Sequence, residues 1–363
     1  MKILIVGFTK PKFMPYMNFY LDNIPSDNNE VHILYWNRDL KSENLSALGG
    51  YTFHEFCEYQ EDDVSICAKI IPFLKYRRYA SKIIRNGNYD FIIVLHTLPA
   101  ILIADILKEY KNRYILDYRD STYEKFAPFK KIVGLLVKWS RFTFVSSDAF
   151  RRYLPACESD KIITSHNILL DSLNHQHDKE RLEKPSAKIR VAFWGFIRHK
   201  DVNIKLIDRL SNDGRFELHY YGREQHIAHE LKEHVKDVGA NNVFFHGEYI
   251  PTDRYKFILQ TDIIHNVYLD NNTMLAMGNK FYDGIIFRIP QICMPGSFMA
   301  EMCDKYGIGI AIDPDNEDFA NILAKYYKNI DLARFKEACA EALSRIIEEY
   351  NRGCNLIISC TNS

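Results

Sequence analysis

Ala192-Phe193-Trp194-Gly195-Phe196-Ile197-Arg198-His199-Lys200-Asp201 is an apolar run that ends at a glycine and passes through basic residues into an amphipathic segment. It reads as a strand, a turn and the first turn of a helix. Gly195 allows the backbone to approach a ligand. The helix start that follows favours an anion, and Arg198 can grip phosphate through two N–H groups. The spacing is not G-x-G-x-x-G, so a dinucleotide site of the usual type is not implied. The plain alternative is a strand and turn with solvated charges.

Upstream lies a polar stretch, residues 171–187, with hardly any apolar content, which reads as a linker. On either side of it, short apolar runs alternate with longer amphipathic ones, the pattern of α/β domains. Before the linker, strands are expected at 2–6, 30–35, 91–95, 113–116, 142–145 and 162–164, with helices at 64–86, 98–111 and 122–140. After it, strands are expected at 189–194, 216–221, 243–246, 263–267, 291–294 and 309–312. Helices there are expected at about 201–211, 224–237, 252–259, 278–286, 298–305, 316–328 and 331–349. The strand runs lack alternation, as in parallel strands buried on both faces. The reading is two doubly wound domains, 1–170 and 188–330, joined by 171–187 and followed by a helix and tail, 331–363. Such sheets bind ligands beyond the carboxyl ends of their strands, and two of them facing a central cleft would place a substrate there.

Composition fits this. The 363 residues suffice for two domains, with 47 % hydrophobic and 26 % charged residues. Lys+Arg and Asp+Glu both count 47, which argues against a nucleic-acid partner held by bulk basicity. The eight cysteines form no C-x-x-C pair and read as reduced thiols of an intracellular protein. The start, Met1 to Gly7, reads as a strand. The longest apolar run, 91–107, is broken by His96, Pro99 and Asp105, which argues against a membrane span.

A second informative stretch runs Met277-Gly278-Asn279-Lys280-Phe281-Tyr282-Asp283-Gly284 and on to Pro290. Gly278 precedes a helix whose first turn holds Asn279 and Lys280, with Asp283 one turn on. A basic residue at a helix start opposes the macrodipole unless a bound anion offsets it. N–H groups near Gly278 and the Lys280 charge suit a diphosphate, and Asp283 suits ribose hydroxyls. The alternative is an ordinary helix with Asn279 as N-cap.

Together these stretches resemble the C-terminal half of GT-B glycosyltransferases, specifically the bacterial capsular and exopolysaccharide enzymes of glycosyltransferase family 4. Landmarks match in order: the strand–Gly–x–x–Arg opening, Leu218 to Gly222, Val243 to Tyr249, Thr261-Asp262-Ile263, and the Asn-Lys-x-x-Asp helix before Pro290. The resemblance extends over nearly the whole chain and is best from 189 to 313. It implies a GT-B fold of two Rossmann-like domains and a hexosyltransferase, retaining the anomeric configuration. The donor is a nucleotide diphosphate-sugar, UDP- or GDP-linked, and no further cofactor or metal is required. The acceptor is a glycan, carried on a polyprenyl diphosphate. Donor binding falls to Gly195, Arg198, Lys200 or Lys205, Glu248, Gly278, Asn279, Lys280 and Asp283. Many relatives carry two glutamates eight apart in the donor helix; here Leu275 and Asp283 stand at those places. In the first half, Tyr89 to Pro99 and Tyr114 to Asp120 resemble acceptor-domain segments. They supply His96, Arg119 and Asp120 as catalytic candidates, with Glu124 beside them. His96 also reads simply as a hydrogen-bonded histidine at a strand end. A nucleotide-sugar 2-epimerase and a non-catalytic binding relative are the rival readings.

Two stretches of the first half, 68–86 and 125–141, are basic and contain no acid. In the second, Lys131, Lys138 and Arg141 are expected to share a helical face. A basic amphipathic helix with aromatics suits an anionic membrane surface, implying a cytoplasmic protein peripheral on the inner face of the cell membrane. A core-facing helix with a solvated basic side is the alternative.

Overall fold

The computed structural model describes residues 1–61, 65–121, 123–176 and 188–362. The chain divides into two compact units, Met1–His166 with Glu348–Ser363, and Asn167–Ile347.

The first unit is built on β1 (Lys2–Val6), β2 (Glu30–Asn37), β3 (Thr52–Cys57), β4 (Phe91–Leu95), β5 (Tyr114–Tyr118), β6 (Phe142–Val145) and β7 (Ile162–Thr164). Their order is β3-β2-β1-β4-β5-β6-β7 and every pairing is parallel. The chain leaves β1 in one direction and returns to β4 on its other side, so strand order reverses there, the usual ligand position in such sheets. The helices are α1 (Asn18–Leu21), α2 (Ile66–Gly87), α3 (Thr97–Leu102), α4 (Ala104–Glu109) and α5 (Ala127–Trp139). Part of the aromatic excess sits here: Trp36 stacks on Tyr76 at 5.5 Å, ringed by Phe8, Phe56 and Phe73.

The second unit repeats the plan with β8 (Ile189–Trp194), β9 (Phe216–Tyr221), β10 (Val243–Phe245), β11 (Ile263–Asn266), β12 (Gln291–Cys293) and β13 (Gly309–Ala311), ordered β10-β9-β8-β11-β12-β13 and all parallel. Its helices are α6 (Lys200–Leu210), α7 (His226–Asp237), α8 (Asn279–Ile286), α9 (Phe298–Tyr306) and α10 (Phe319–Lys328). A final helix, α11, runs Leu332–Thr361, so its last turns belong to the first unit. Both units are Rossmann-type doubly wound domains.

Several local expectations change. Strand β3 was not anticipated: it is a half-exposed edge strand, Thr-Phe-His-Glu-Phe-Cys, without the apolar run of its neighbours. The expected helix at 98–111 is two, divided at Ile103 (φ −114°, ψ 22°). The segment expected as a helix at 252–259 is a 3-10 helix, Pro251–Gln260. Helix α11 continues well past 349. Arg141 does not share a face with Lys131 and Lys138: α5 ends at Trp139, capped by extended Ser140, and the Arg141 N–H donates to the Tyr114 carbonyl at 2.8 Å. Of the expected linker, the first part joins a 3-10 helix, Leu170–His175, whose His175 ring stacks on Tyr255 at 3.9 Å. Residues 177–187 lie outside the described residues.

Candidate functional site

In the second unit the carboxyl ends of β8, β9 and β10 each lead into a glycine at positive φ: Gly195 (134°), Gly222 (152°) and Gly247 (79°). These turns are laced together, with Gly195 N–H donating to the Tyr221 carbonyl and Gly222 N–H to the Gly247 carbonyl, both at 2.8 Å. A Cβ at Gly222 would sit 1.6 Å from the Gly195 carbonyl oxygen, so this approach requires glycine. Beyond Gly195 the chain reaches His199, held left-handed (φ 64°) as the N-cap of α6. Asn203 fixes that turn: its Nδ2 donates to the carbonyls of Arg198 (2.7 Å) and His199 (2.9 Å). Its Oδ1 lies 3.1 Å from both the Tyr220 hydroxyl and His265 Nε2. Burial, together with Lys280 and His199, holds the fully buried His265 well below the usual histidine range. It is therefore neutral, and Nε2–H donating to Asn203 fits Nδ1 accepting the Val267 N–H at 3.0 Å.

Helix α8 carries the centre of the site. Gly278, not Asn279, is its N-cap, and Asn279 is the exposed first helical residue. Lys280 is only 7 % exposed. Its Nζ rests 3.4 Å from the Phe193 ring centroid and 4.9 Å from that of Tyr268. It makes no ion pair or hydrogen bond among the described residues. Burial, and then the positive Arg198, push its ammonium well below the usual lysine range, Arg254 adding to this and Asp283 opposing it. Asp283, 1 % exposed, accepts a charge-assisted bond at Oδ2 from Arg254 Nη1 at 2.7 Å. Burial still raises its carboxyl to about 6, although Arg254 and Lys280 pull the other way. Tyr249, beside the same pair, is pushed by burial to about 12.

The other donor-site candidates separate. Arg198 is exposed and makes no ion pair among the described residues. Lys200 is paired with Glu230 at 3.0 Å, and Lys205 with Asp315 at 2.7 Å. Glu248 is exposed on the rim of a surface depression shared with Tyr249, Asp253 and Phe257. Leu275 is buried, so no carboxylate stands at that place. The structure thus gathers Arg198, Lys280 and Asp283 into one electrostatic group. The sequence alone does not reveal their partners Arg254, Phe193 and Tyr268, nor the pair of His199 with Asp270 at 3.3 Å.

In the first unit His96, at the end of β4, caps α3 in a positive-φ conformation (89°), which is costly for a non-glycine residue. Its Nε2 stands 3.3 Å from Asp120 Oδ2, both groups partly exposed. Arg119 is buried: Nε donates to Asp117 Oδ2 at 2.9 Å, Nη2 reaches Ser165 Oγ at 3.4 Å, and its guanidinium lies 4.3 Å from the Tyr16 ring centroid. Burial works to lower the guanidinium, but Asp117 and Tyr20 outweigh it and hold it above its usual value. Burial raises the Asp117 carboxyl, with Arg119 opposing. Glu124, also buried, accepts the Tyr118 hydroxyl at 2.7 Å.

No protein-family profile and no curated protein matches the sequence. Solved structures do match the fold. Sucrose-phosphate synthase from Thermosynechococcus elongatus superposes with a TM-score of 0.72 at 10 % identity, covering 98 % of this chain and 97 % of that one. A glycosyltransferase from Rickettsia africae gives 0.69 at 15 % identity, covering 99 % and 96 %. Anabaena HepE in complex with UDP-glucose gives 0.68 at 14 % identity, covering 99 % and 100 %. At these identities what is shared is the fold: two Rossmann-type domains in tandem, the GT-B fold.

Proposed function

We propose that the protein is a glycosyltransferase that moves a hexose from a UDP- or GDP-sugar to a glycan acceptor, with retention of configuration. The observation that carries this reading is Lys280, a buried cation with no carboxylate bonded to it, behind Gly278 at a helix start and beside Arg198. A diphosphate supplies the missing anion. As the bond from the sugar to the diphosphate breaks, charge grows on the leaving oxygen, and Lys280, Arg198 and the α8 N–H groups stabilise it. The acceptor proton passes to the leaving phosphate, so no protein nucleophile is required. Asp283 accepts the ribose hydroxyls. His96 and Asp120 orient the acceptor hydroxyl. The solved structures of like fold, one of them bound to UDP-glucose, are consistent with this chemistry.

The test is a thermal-shift screen against UDP, GDP, ADP and CMP, followed by incubation with the matching nucleotide-sugar. Stabilisation by one diphosphate and its acceptor-dependent release support transfer. Epimerised nucleotide-sugar without an acceptor supports the epimerase instead. Binding with neither transfer nor hydrolysis supports a binding-only protein, the reading that the leucine at position 275 leaves open.

A lipid-carried acceptor in cell-surface polysaccharide synthesis, with peripheral attachment to an anionic membrane, completes the proposal. Helix α2 supports it: Ile70, Ile71 and Leu74 are exposed, Ile71 by 64 %. Ile71 and Leu74 share a face at helical spacing with Arg78, Lys82 and Arg85, all exposed. Exposed Phe126, Ile132 and Leu135 accompany Lys130 and Lys131 at α5. Among the described residues no helix is long and apolar enough to cross a membrane. Salt-sensitive sedimentation with anionic but not neutral vesicles, lost on Ile71→Glu with Leu74→Glu, is the expected outcome. Equal sedimentation with both vesicle types, or none, rejects it.

A further inference from the structure

Arg254 lies in the 3-10 helix Pro251–Gln260, 29 residues before the side chain it grips. It is 5 % exposed, and Asp283, its partner, is 1 % exposed. The bond runs from Nη1 to one carboxylate oxygen, Oδ2, at 2.7 Å. The other oxygen, Oδ1, makes no hydrogen bond among the described residues. A single-ended guanidinium grip on a buried carboxylate fixes the plane of the acid and leaves one oxygen to accept. The surroundings favour that use. Lys280 acts on the Asp283 charge from one turn away on the same helix, and Tyr249 is close enough to feel both members of the pair.

We propose that Arg254 is a positioning residue for nucleotide recognition: by holding Asp283 Oδ2 it aims Oδ1 at the vicinal hydroxyls of the ribose of a nucleoside diphosphate. The inference rests on the donor-site reading above. In this arrangement the diphosphate is held by Lys280 and Arg198, whereas discrimination of ribose from deoxyribose depends on the Arg254–Asp283 pair. A site built to hydrogen-bond a hydroxyl rejects the analogue that lacks it, because its buried polar atom is left without a partner.

The experiment measures affinity by calorimetry for UDP and for 2′-deoxy-UDP, or for the guanine pair if GDP is the base bound. The wild type, Arg254→Met, Arg254→Lys and Asp283→Asn are compared, with inorganic pyrophosphate as a probe of the phosphate subsite. The wild type is expected to prefer the ribonucleotide by about tenfold or more. Arg254→Met should reduce that preference to about threefold or less, and Arg254→Lys should restore part of it, with pyrophosphate affinity changed by less than about twofold throughout. Asp283→Asn should lose the preference as Arg254→Met does. A merely structural role for Arg254 lowers the melting temperature and weakens all probes alike without changing the ratio. An unchanged preference in a folded Arg254→Met protein overturns the proposal. If Arg254→Met does not fold, Arg254→Lys decides: a preference equal to the wild type's with the shorter, unforked side chain also overturns it. A wild type that binds neither UDP nor GDP overturns the donor-site reading itself, an outcome distinct from the others.

Discussion

In the first unit, Arg119 and Asp117 are both buried and bonded to each other at 2.9 Å. In the second, Lys280 is as deeply buried but rests on the faces of Phe193 and Tyr268, with no carboxylate bonded to it. Both clusters lie beyond the carboxyl ends of parallel strands. Arg119 and Asp117 answer each other's charge, so removing one partner strands the other. A buried cation that rests on ring faces, with Asp283 acting on it only through space, keeps much of its attraction for an anion. The comparison separates a charge that holds structure from a charge that awaits a ligand.

Removing each cation in turn should give the largest difference between the two clusters. Arg119→Met should destabilise the protein by about 3–5 kcal/mol, because Asp117 is left buried without its guanidinium. Lys280→Met should leave stability unchanged or raise it, because a desolvated charge is exchanged for an apolar chain. Urea unfolding midpoints of the two variants read this directly, and equal losses would erase the distinction.

Asp283 sharpens the second cluster. Its carboxyl is at about 6 in the folded protein against an ordinary value of 3.8. Between those values the folded state holds a proton that the unfolded state has released. Its contribution is therefore fully present below pH 4 and falls away as pH rises through about 6, by up to about 3 kcal/mol. Urea midpoints of the wild type and Asp283→Asn across pH 4 to 7 should show a slope in the first that flattens in the second. Parallel curves would contradict the assignment.

Arg198→Ala should weaken UDP or GDP binding by about 1–3 kcal/mol with the melting temperature unmoved, since Arg198 is exposed and makes no ion pair among the described residues. The smallest effect is a proton count. Because the Lys280 ammonium lies well below its ordinary range, an arriving diphosphate raises it again and the protein takes up a fraction of a proton on binding. Calorimetry in buffers of differing ionisation enthalpy should detect this uptake, and Lys280→Met should abolish it.

Much of this was legible in the sequence. The buried strands announced themselves as unbroken apolar runs, and Gly195 and Gly278 marked the turns around which the second cluster forms. Strand β3 escaped notice because an edge strand with half-exposed residues needs no apolar run. Lysines 200 and 205 were indistinguishable in sequence because their partners, Glu230 and Asp315, are brought up only by the fold. Arg254 was invisible for the same reason: nothing local to Pro251–Gln260 indicates a guanidinium turned towards α8. Phe193 reads only as part of an apolar strand, and Tyr268 carries no signal of its own; both are buried. Their second use, as the bed of a cation, exists only once Lys280 is folded over them.

The central claim is that Lys280 is held ready for a diphosphate, and the direct measurement is a calorimetric titration of UDP and of GDP into the wild type and Lys280→Met side by side. Saturable binding of one of the two to the wild type is expected. Lys280→Met should lose about 1–3 kcal/mol of it, roughly a factor of 5 to 150 in Kd, in a protein at least as stable. Equal affinity in the two proteins would contradict it.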